Sequence, residues 1–544
     1  MMRTVEGRVI DPIAEGLARG WRVFGGRLNP APDALECDVA IIGSGAGAGV
    51  TAELMTAAGL SVVIVEEGPL RSSRDFKQLE SDAYPALYQE SAARKTHDQS
   101  ITILQGRCVG GSTTVNWTSS FRTPLSTLNY WVDRLGLTSL SGNALAPWFL
   151  QAERRFNITP WLAAPNANNE MLQRGASKLG IASATIQRNV KGCWNLGSCG
   201  LGCPTNAKQS MLVTTLPAAL DRGGTLLTST RVERMALMGD RILALECIPV
   251  GLDSAPTEGG GPTRIVARHY VLGGGAINSP ALLLRSKAPD PHAVLGARTF
   301  LHPVVASRGV FREAIDGWQG APQTVYSDHF LDAAPIDGPM GYKLEVAPLH
   351  PVIYSTTING FGTAAAARLS EFPNSQATLA LMRDGFHPQS PGGQVKLRDD
   401  GSPTLHYPAN EFLMDAARRA FLTMAELQFA AGAEQVVVGH EFATPYKSWA
   451  AAQTGIRELA MQPLSTRLFS AHVMGGCSMS TDERRGVVGD DGRHWQIGNL
   501  SIHDGSLFPT SIGANPQLSI YGLVNKLATQ LALQLSGRTV ALVH

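Results

Sequence analysis

The sequence of 544 residues has few cysteines, no long apolar run and almost no net charge. Seven cysteines are too few for the disulfide framework of a small secreted domain. No run of 18 apolar residues occurs, and the N-terminus lacks the basic, apolar and small-residue regions of a signal peptide. A formal charge of +1 does not indicate the excess of basic residues that binding to a polyanion such as a nucleic acid needs. We therefore expect no transmembrane segment, no nucleic-acid partner and a cytoplasmic location.

The composition is that of a folded, multi-domain protein. Hydrophobic residues make up 44% of the chain and charged residues 17%, with 57 glycines. Near the start, Asp11 is a candidate helix N-cap and Pro12 follows it at the first helical position. The apolar stripe of this predicted helix comprises Ile13, Leu17, Trp21 and Phe24. Residues 1–36 are predicted to form a helical arm, which packs on its own domain or docks on a membrane surface or partner.

A strand, a Gly-rich turn, a helix and a second strand follow within about 30 residues. Val39–Ile42 is the first apolar run, and Gly43-Ser-Gly45-Ala-Gly-Ala48 fits the pattern G-x-G-x-x-G/A. Glu66 closes the second strand, where a carboxylate can bind a ribose hydroxyl. The helix N-terminus favours phosphate. This segment predicts a dinucleotide site.

The nucleotide-type pattern returns at Tyr270–Leu272, which runs into Gly273–Ala276. Between these regions and the C-terminus, residues 392–407 predict a hairpin with an Asp-Gly turn, and residues 412–431 predict a helix. The fold class is thus α/β (α+β overall), with a Rossmann-type domain interrupted by an antiparallel-sheet domain. The predicted limits are 37–120, 205–305 and 468–544 for the nucleotide domain, 121–204 for a cysteine-rich connecting segment and 306–467 for the substrate domain.

The chain resembles the glucose-methanol-choline (GMC) oxidoreductases over nearly its whole length. The resemblance rests on motifs in the expected order: Gly106–Trp117, Thr230–Val232, Gly273–Pro280, Asp504–Ser506 and Asn515–Pro516. It implies FAD as the dinucleotide. Family members that bind flavin covalently carry a histidine directly before the asparagine of the first motif, and Val115 stands there instead, so non-covalent FAD is expected. The resulting cofactor-binding residues are Gly43, Gly45, Ala48, Glu66, Gly110, Gly111, Ser112, Asn116, Val232, Asp504, Gly505 and Pro516.

The same resemblance implies a catalytic pair, His472 and Asn515, facing the flavin. Oxidation of a CH–OH group needs a proton acceptor that works near neutral pH, which suits imidazole. A carboxamide can hold the hydroxyl oxygen and fix the geometry of the carbon. The other histidines singled out, predicted to be structural or at the surface, are His302, His350, His406 and His503.

Three cysteines lie within eleven residues: Cys193, Cys199 and Cys203. Their spacing leaves three interpretations open. The cysteines are ligands of an iron–sulfur cluster, they are structural thiols or form a disulfide, or they bind zinc without a local fourth ligand. The run resembles that of flavin-dependent glucose and fructose dehydrogenases, which implies a 3Fe–4S cluster that passes electrons to a cytochrome. Gly200–Ser210 also resembles a segment of long-chain alcohol oxidases.

Three functions therefore compete. The first is an FAD-dependent alcohol dehydrogenase that uses a one-electron acceptor, a cytochrome or quinone, with a small partner subunit that exports or anchors it at a membrane. The second is a long-chain or sterol-like alcohol oxidase that reduces O2 directly. The third is a flavin-binding protein without turnover. The substrate domain also carries five aromatic candidates for an apolar pocket or the core: Trp318, Phe330, Tyr342, Tyr354 and Phe361.

Overall fold

The computed structural model describes residues 4–5, 8–257 and 260–542. The predicted N-terminal arm and the last predicted domain segment extend beyond these limits, so residues 1–3, 6–7 and 543–544 of those segments lie outside the described residues. Residues 258 and 259 also lie outside. The domain limits given above stay a prediction.

The first large sheet is Rossmann-like. Its central strands run parallel, and a short antiparallel extension is attached at one edge. Parallel strands that are buried on both faces have nearly continuous apolar sequences. Val39–Ile42 and Val62–Val65 are two such apolar runs. Its strands are Arg22–Phe24, Ala34–Ile42, Val62–Val65, Thr225–Leu227, Thr230–Met238, Arg241–Pro249, Thr263–Leu272 and Leu500–Ile502.

The second large sheet is antiparallel except where Leu468–Ser470 pairs in parallel with Ile101–Ile103. The α/β class with a second, antiparallel sheet is thus confirmed. Its strands are Ile101–Ile103, Ala184–Thr185, Val304–Val310, Val325–Ser327, Tyr342–Val346, Ser375–Met382, Gln435–Val438 and Leu468–Ser470. The predicted hairpin is present but forms a separate pair, Gln394–Leu397 with Pro403–His406. The other two-stranded pairs are Thr4–Val5 with Arg8–Val9, Ile158–Pro160 with Gln187–Asn189, and Thr299–Phe300 with Met474–Gly475.

Helices cover the sheets and tie them together. The described helices are Pro12–Ala18, Ala46–Ala57, Glu80–Leu87, Ser112–Val115, Leu125–Leu135, Gly142–Arg155, Ala167–Lys178, Thr215–Asp221, Gly275–Arg285, Pro351–Ser355, Gly362–Ser370, Glu411–Ala431, Trp449–Glu458 and Gln517–Ser536. Short 3-10 turns occur at Gln89–Ala92, Thr138–Leu140, Cys199–Leu201, Met211–Val213, Phe372–Asn374 and Gly505–Leu507. Among the described residues, none of these helices combines the length and apolarity needed to cross a bilayer.

The predicted first helix begins where expected, with the Asp11 carboxylate accepting the amide hydrogens of Ile13 and Ala14. It ends at Ala18, however, and the extension of the helix to Phe24 was wrong. Arg22–Phe24 is instead a strand that pairs with Thr225–Leu227 at the edge of the parallel sheet. The apolar side chains repeat at helical spacing, but Gly20 ends the helix with φ +94°, and the Trp21 amide donates back to the Gly16 carbonyl at 3.1 Å.

Candidate active site

One pocket lies between the two sheets, and both supply its walls. The first sheet contributes the predicted Gly-rich turn, which connects the strand ending at Ile42 to the helix Ala46–Ala57. Gly43 has φ +96°, and a Cβ there would lie 2.4 Å from the carbonyl oxygen of Gly273. The N-cap of this helix, Gly45, makes no side-chain capping bond, so the amides of the first turn remain available to a phosphate.

Ala48, the third position of the fingerprint, packs beneath the turn and does not line the pocket. A Cβ on Gly273 would lie 2.8 Å from the Cβ of Ala48, so the two turns that cross here need small residues. This is the packing role that the fingerprint predicts for its third residue.

Glu66 lies in the pocket wall at the end of Val62–Val65. Its carboxylate accepts hydrogen bonds from the backbone amides of Ser44, at 3.0 Å, and Gly68, at 2.8 Å, and from the Ser44 hydroxyl at 2.6 Å. Burial raises the pKa of Glu66 to about 7, and the bonds from Ser44 and Gly68 oppose that shift. The carboxylate is therefore fixed in the pocket wall. Val232 lines the same end of the pocket.

The second Gly-rich loop closes over the first. Gly111 has φ +54°, and a Cβ on it would lie 2.8 Å from the Cα of Gly45. The amide of Gly110 donates to the Ser44 hydroxyl at 2.9 Å, and Gly110 is not part of the pocket lining. The prediction of Gly110 as a cofactor-binding residue therefore needs correction, because its amide is used to hold the two loops together.

Ser112 and Asn116 bracket the short helix Ser112–Val115 and both line the pocket. The Ser112 hydroxyl accepts the Gly106 amide at 2.9 Å. The side-chain amide nitrogen of Asn116 donates to Gln517 Oε1 at 2.7 Å. Both side chains are thus held by bonds within the protein, and Gln517 links the loop to the helix that follows Pro516.

Asp504 is buried and organises the opposite wall. Its carboxylate accepts the backbone amides of Gly275 and Ser506, each at 2.8 Å, and the Ser279 hydroxyl. Gly505 and Pro516 lie beside it in the lining. The two glycine cradles, the uncapped helix and the fixed Glu66 together fit an extended dinucleotide such as FAD.

His472 lies on the loop after Leu468–Ser470 and faces the pocket. Its Nδ1 lies 3.1 Å from Nδ1 of His302. Burial, followed by the charge of Lys343, lowers the pKa of His472 to about 4 from an ordinary value of 6.5. The imidazole is consequently neutral at physiological pH, and the same shift makes it a weaker proton acceptor than a free histidine.

Asn515 reaches the same part of the pocket, immediately before Pro516. Its side-chain nitrogen donates to Glu345 Oε2 at 3.1 Å, which fixes the orientation of the amide. Asn515 Oδ1 is buried and has no hydrogen-bond partner among the described residues. The second N–H of the amide and this oxygen are therefore the groups left for a ligand.

Glu345 lies behind Asn515 on the strand Tyr342–Val346. Burial raises the pKa of Glu345 to about 7, and nearby Lys343 opposes that shift. The Lys343 ammonium group bonds to Asp328 at 2.8 Å and lies 3.4 Å from the centre of the Phe121 ring. The Lys343 charge is therefore partly compensated by Asp328 and by the Phe121 ring.

The second sheet lines the remaining pocket with apolar side chains. Leu379 and Leu381 alternate on one face of Ser375–Met382, and Val304 pairs with both Leu381 and Phe469. Trp117 completes this group. The five aromatic candidates from the sequence lie elsewhere: Tyr342 and Tyr354 are buried in the core, Trp318 stacks on Phe372, Phe330 stacks on Tyr342, and Phe361 is 91% exposed.

The three clustered cysteines lie outside the pocket lining. In the part of the chain that the structure describes, no set of three or more His, Cys, Asp or Glu side chains is arranged to hold a metal ion, and all seven cysteines are free thiols. The predicted iron–sulfur site on Cys193, Cys199 and Cys203 does not fit this geometry, and neither does zinc. Two of these cysteines make weak contacts within the protein: Cys199 Sγ lies 3.6 Å from the Arg188 guanidinium, and Cys203 Sγ accepts the Lys208 amide at 3.5 Å.

The pocket thus gathers His472, Asn515 and most predicted cofactor-binding residues, leaving out Ala48, Gly110 and the cysteines. Sequence reasoning missed His302 as a neighbour of His472 and Glu345 as the partner of Asn515. The His302-Pro303 pair was visible, but nothing local to it indicates a contact with a residue 170 positions away.

Comparison with known proteins gives consistent results. Two family profiles described as GMC oxidoreductase match residues 84–304 and 388–523. Long-chain-alcohol oxidase FAO4B of Arabidopsis thaliana is 26% identical over 533 residues, covering 93% of this chain and 68% of that protein. The uncharacterized GMC-type oxidoreductase Rv0492c of Mycobacterium tuberculosis (strain ATCC 25618 / H37Rv) is 28% identical over 510 residues, covering 93% and 77%.

Solved structures share the fold. Pyridoxine 4-oxidase from Mesorbium loti superposes with a TM-score of 0.66 at 18% identity, covering 91% of this chain and 99% of that one. Formate oxidase gives a TM-score of 0.66 at 14% identity, covering 93% and 99%.

Proposed function

The chain belongs to the GMC oxidoreductase family and is an FAD-dependent oxidoreductase, and from this premise we propose that it oxidises the CH–OH group of an apolar alcohol to a carbonyl. The observation that carries the proposal is one pocket in which the dinucleotide cradle, His472, Asn515 and an apolar wall meet. A protein that only stored flavin would need neither the imidazole nor the carboxamide.

The roles of the two residues follow from their free atoms. His472 Nε2 accepts the hydroxyl proton of the substrate, because the imidazole is neutral and its other ring nitrogen is occupied by His302. Asn515 holds the substrate oxygen with its remaining amide groups, which orients the carbon. When bound, FAD supplies the two-electron oxidant that takes the hydride equivalent from that carbon. Val115, which has no nucleophilic atom, supports non-covalent attachment.

The substrate class follows from the wall formed by Trp117, Val304, Leu379, Leu381 and Phe469. Burial of each methylene of an aliphatic chain against such a wall contributes about 0.8 kcal/mol. Several relatives are named long-chain-alcohol oxidases, which supports a primary alcohol with an extended chain.

The electron acceptor is proposed to be O2. Several relatives are oxidases by name, and the clustered thiols are not placed to hold a metal in the described residues. The alternative, a one-electron route through a 3Fe–4S cluster to a cytochrome or quinone partner, would require those thiols to rearrange.

The test of the function is anaerobic. Linear primary alcohols of increasing chain length are added to the purified holoenzyme, and the loss of flavin absorbance is followed by stopped flow. We expect bleaching with kcat/KM rising as the chain lengthens until the apolar wall is filled. If no alcohol across the series bleaches the flavin, the protein binds FAD without turnover and the proposal is wrong.

The acceptor is tested on the same preparation. The alcohol-reduced enzyme is mixed either with air-saturated buffer or with a one-electron dye, and peroxide, iron and sulfide are measured. We expect rapid peroxide formation and no stoichiometric iron. Slow reoxidation by air together with about three irons per chain would establish the cluster route instead.

A further inference from the structure

The ring of His302 is fully buried against that of His472, with ring centroids 5.3 Å apart and an interplanar angle of 29°. The Nδ1 atoms of the two rings lie 3.1 Å apart, within hydrogen-bond distance. Two neutral imidazoles can form this bond only if one Nδ1 carries a proton and the other does not. The contact therefore couples the tautomer of one ring to the tautomer of the other.

The backbone holds the two rings in this position. The Asp384 carboxylate accepts the amides of Leu301 and His302, each at 3.0 Å. The Ser470 hydroxyl donates to the Leu301 carbonyl and accepts the His472 amide at 3.2 Å. His302 itself adopts φ +47°, a left-handed conformation that is unusual for a residue other than glycine or asparagine. A strained residue held by several bonds is typical of a functional position.

The charges around the pair favour neutral rings. Burial, followed by His472, Lys343 and Arg383, lowers the pKa of His302 well below its ordinary value. In the hydrogen bonds of the described residues, no carboxylate contacts either ring. Asp384 is the nearest acid in the network, and it is engaged by the two backbone amides and by the Tyr407 hydroxyl.

We propose that His302 is the positioning residue for His472: its Nδ1 accepts the Nδ1 proton of His472 and so keeps Nε2 of His472 unprotonated toward the substrate. The inference rests on the proposed function, since it concerns the base of that reaction. With the opposite tautomer, His472 Nε2 would carry a hydrogen and could donate a bond but could not accept the hydroxyl proton.

The proton balance of the step is simple. The substrate O–H bond breaks, the proton moves to His472 Nε2, and the resulting imidazolium keeps its Nδ1–H bond to His302. His302 stays neutral throughout, with its proton on Nε2, which is buried and has no partner among the described residues. A neutral imidazole thus takes the orienting place that a carboxylate holds in a Ser-His-Asp triad.

Two variants separate positioning from structure. His302→Asn retains an acceptor, because the Asn Oδ1 occupies the place of Nδ1 and asparagine tolerates the left-handed backbone. His302→Leu keeps the bulk and removes the acceptor. We expect the leucine variant to lose about 10- to 100-fold in the anaerobic rate of flavin reduction, as orienting partners typically do. The asparagine variant should recover most of that loss at unchanged FAD content.

A second readout does not depend on turnover. The holoenzyme is labelled with 15N in the histidine rings, and two-bond 15N–1H spectra distinguish protonated from unprotonated ring nitrogens. Assignment by His472→Gln and His302→Asn should give His472 protonated at Nδ1 and His302 protonated at Nε2. The reverse assignment would overturn the proposal even if a leucine variant were too unstable to study.

The failures of the two proposals can be told apart. If His472→Ala reduces flavin at the wild-type rate, His472 is not the base, and the inference that His302 positions it is wrong as well. If His472→Ala is inactive while His302→Leu matches wild type in rate and in its dependence on pH between 5 and 8, only the positioning role is wrong.

Discussion

The pocket has two ends that satisfy their polar groups in different ways: a proposed coenzyme end around Glu66 and Asp504, and a proposed catalytic end around His472 and Asn515. At the coenzyme end, the buried carboxylates Glu66 and Asp504 are saturated by backbone amides and hydroxyls. At the catalytic end, buried atoms of Asn515, His302 and Glu345 have no partner among the described residues. Of these three residues only Asn515 lines the pocket, so its Oδ1 is the unpaired atom that a ligand in the pocket can reach.

This difference separates binding from chemistry. The coenzyme end is fixed by backbone geometry, so single side-chain changes there should weaken FAD binding and leave the chemical step intact. The catalytic end depends on a few side-chain atoms, so changes there should slow the chemical step and leave FAD content intact.

The largest expected effect is that of His472→Ala. Removing the proposed general base should lower the rate of anaerobic flavin reduction about 10²- to 10⁴-fold, while the FAD content stays near that of wild type. Stopped-flow absorbance measures the first quantity and the visible spectrum of the purified protein the second. His406→Ala, a partly exposed hairpin histidine that stacks on His97, is the matched control and should be unaffected. Loss of FAD from the His472→Ala variant would contradict the separation between FAD binding and the chemical step.

The second largest expected effect is that of Asn515→Leu. It removes the groups that hold the substrate oxygen and deprives Glu345 of its donor. We expect kcat/KM to fall on the order of 10²-fold, comparable to the loss of one stabilising hydrogen-bond donor in other enzymes. Asn515→Asp is the informative companion, because it keeps the size but places a second acid beside Glu345. A leucine variant with wild-type kinetics would show that the alcohol is oriented elsewhere.

At the coenzyme end, Glu66→Gln should raise the FAD dissociation constant about tenfold. Loss of one charge-assisted hydrogen bond contributes on the order of 1.5 kcal/mol, and 1.4 kcal/mol corresponds to a factor of ten. Titration of the apoprotein by flavin fluorescence measures the change, and Glu246→Gln at an exposed ion pair serves as the control. Once saturated with FAD, the variant should reduce flavin at the wild-type rate, and a slower rate would break the distinction between the two ends.

A smaller effect concerns pH. The lowered pKa of His472, about 4, means that the base stays unprotonated as the pH falls through the ordinary histidine value of 6.5. The rate of flavin reduction should therefore fall less than about twofold between pH 7 and pH 5, whereas a base that titrates normally would lose more than tenfold. An acid limb of kcat/KM near pH 6.5 would show that the imidazole is not shielded as the structure indicates.

The coenzyme end was also the more predictable half from the sequence. Gly43, Gly45 and Glu66 are fixed by local backbone requirements, and those requirements leave a local pattern of glycines followed by an acid at a set distance. The fold class followed from the same strand–helix–strand order. The sequence did not predict which partner each backbone amide binds. The Gly110 amide donates to the Ser44 hydroxyl, and a glycine in the sequence does not reveal whether its amide faces another loop or a flavin ring.

The catalytic end depends on contacts between residues far apart in the chain. His302 and His472 are separated by 170 positions, as are Glu345 and Asn515. Each member of these pairs looks ordinary in its own surroundings, and only the packing of the second sheet brings them together. The first helix shows both sides of this limit: Gly20, which ends the helix with φ +94°, is a local signal, whereas the pairing of Arg22–Phe24 with Thr225–Leu227 is not.

The cysteines at 193, 199 and 203 differ from these pairs, because they form a conspicuous local pattern in the sequence. In the described residues they are not arranged to hold the predicted cluster. Cys199→Ser and Cys203→Ser should each change the rate of flavin reduction and the rate of reoxidation by air less than about twofold, because neither thiol lines the pocket and serine can keep most of their weak bonds. Rapid mixing with alcohol and then with O2 measures both rates, and Cys37→Ser is the control on the first sheet. A large loss confined to reoxidation by a one-electron acceptor would mean that these thiols carry electrons after all.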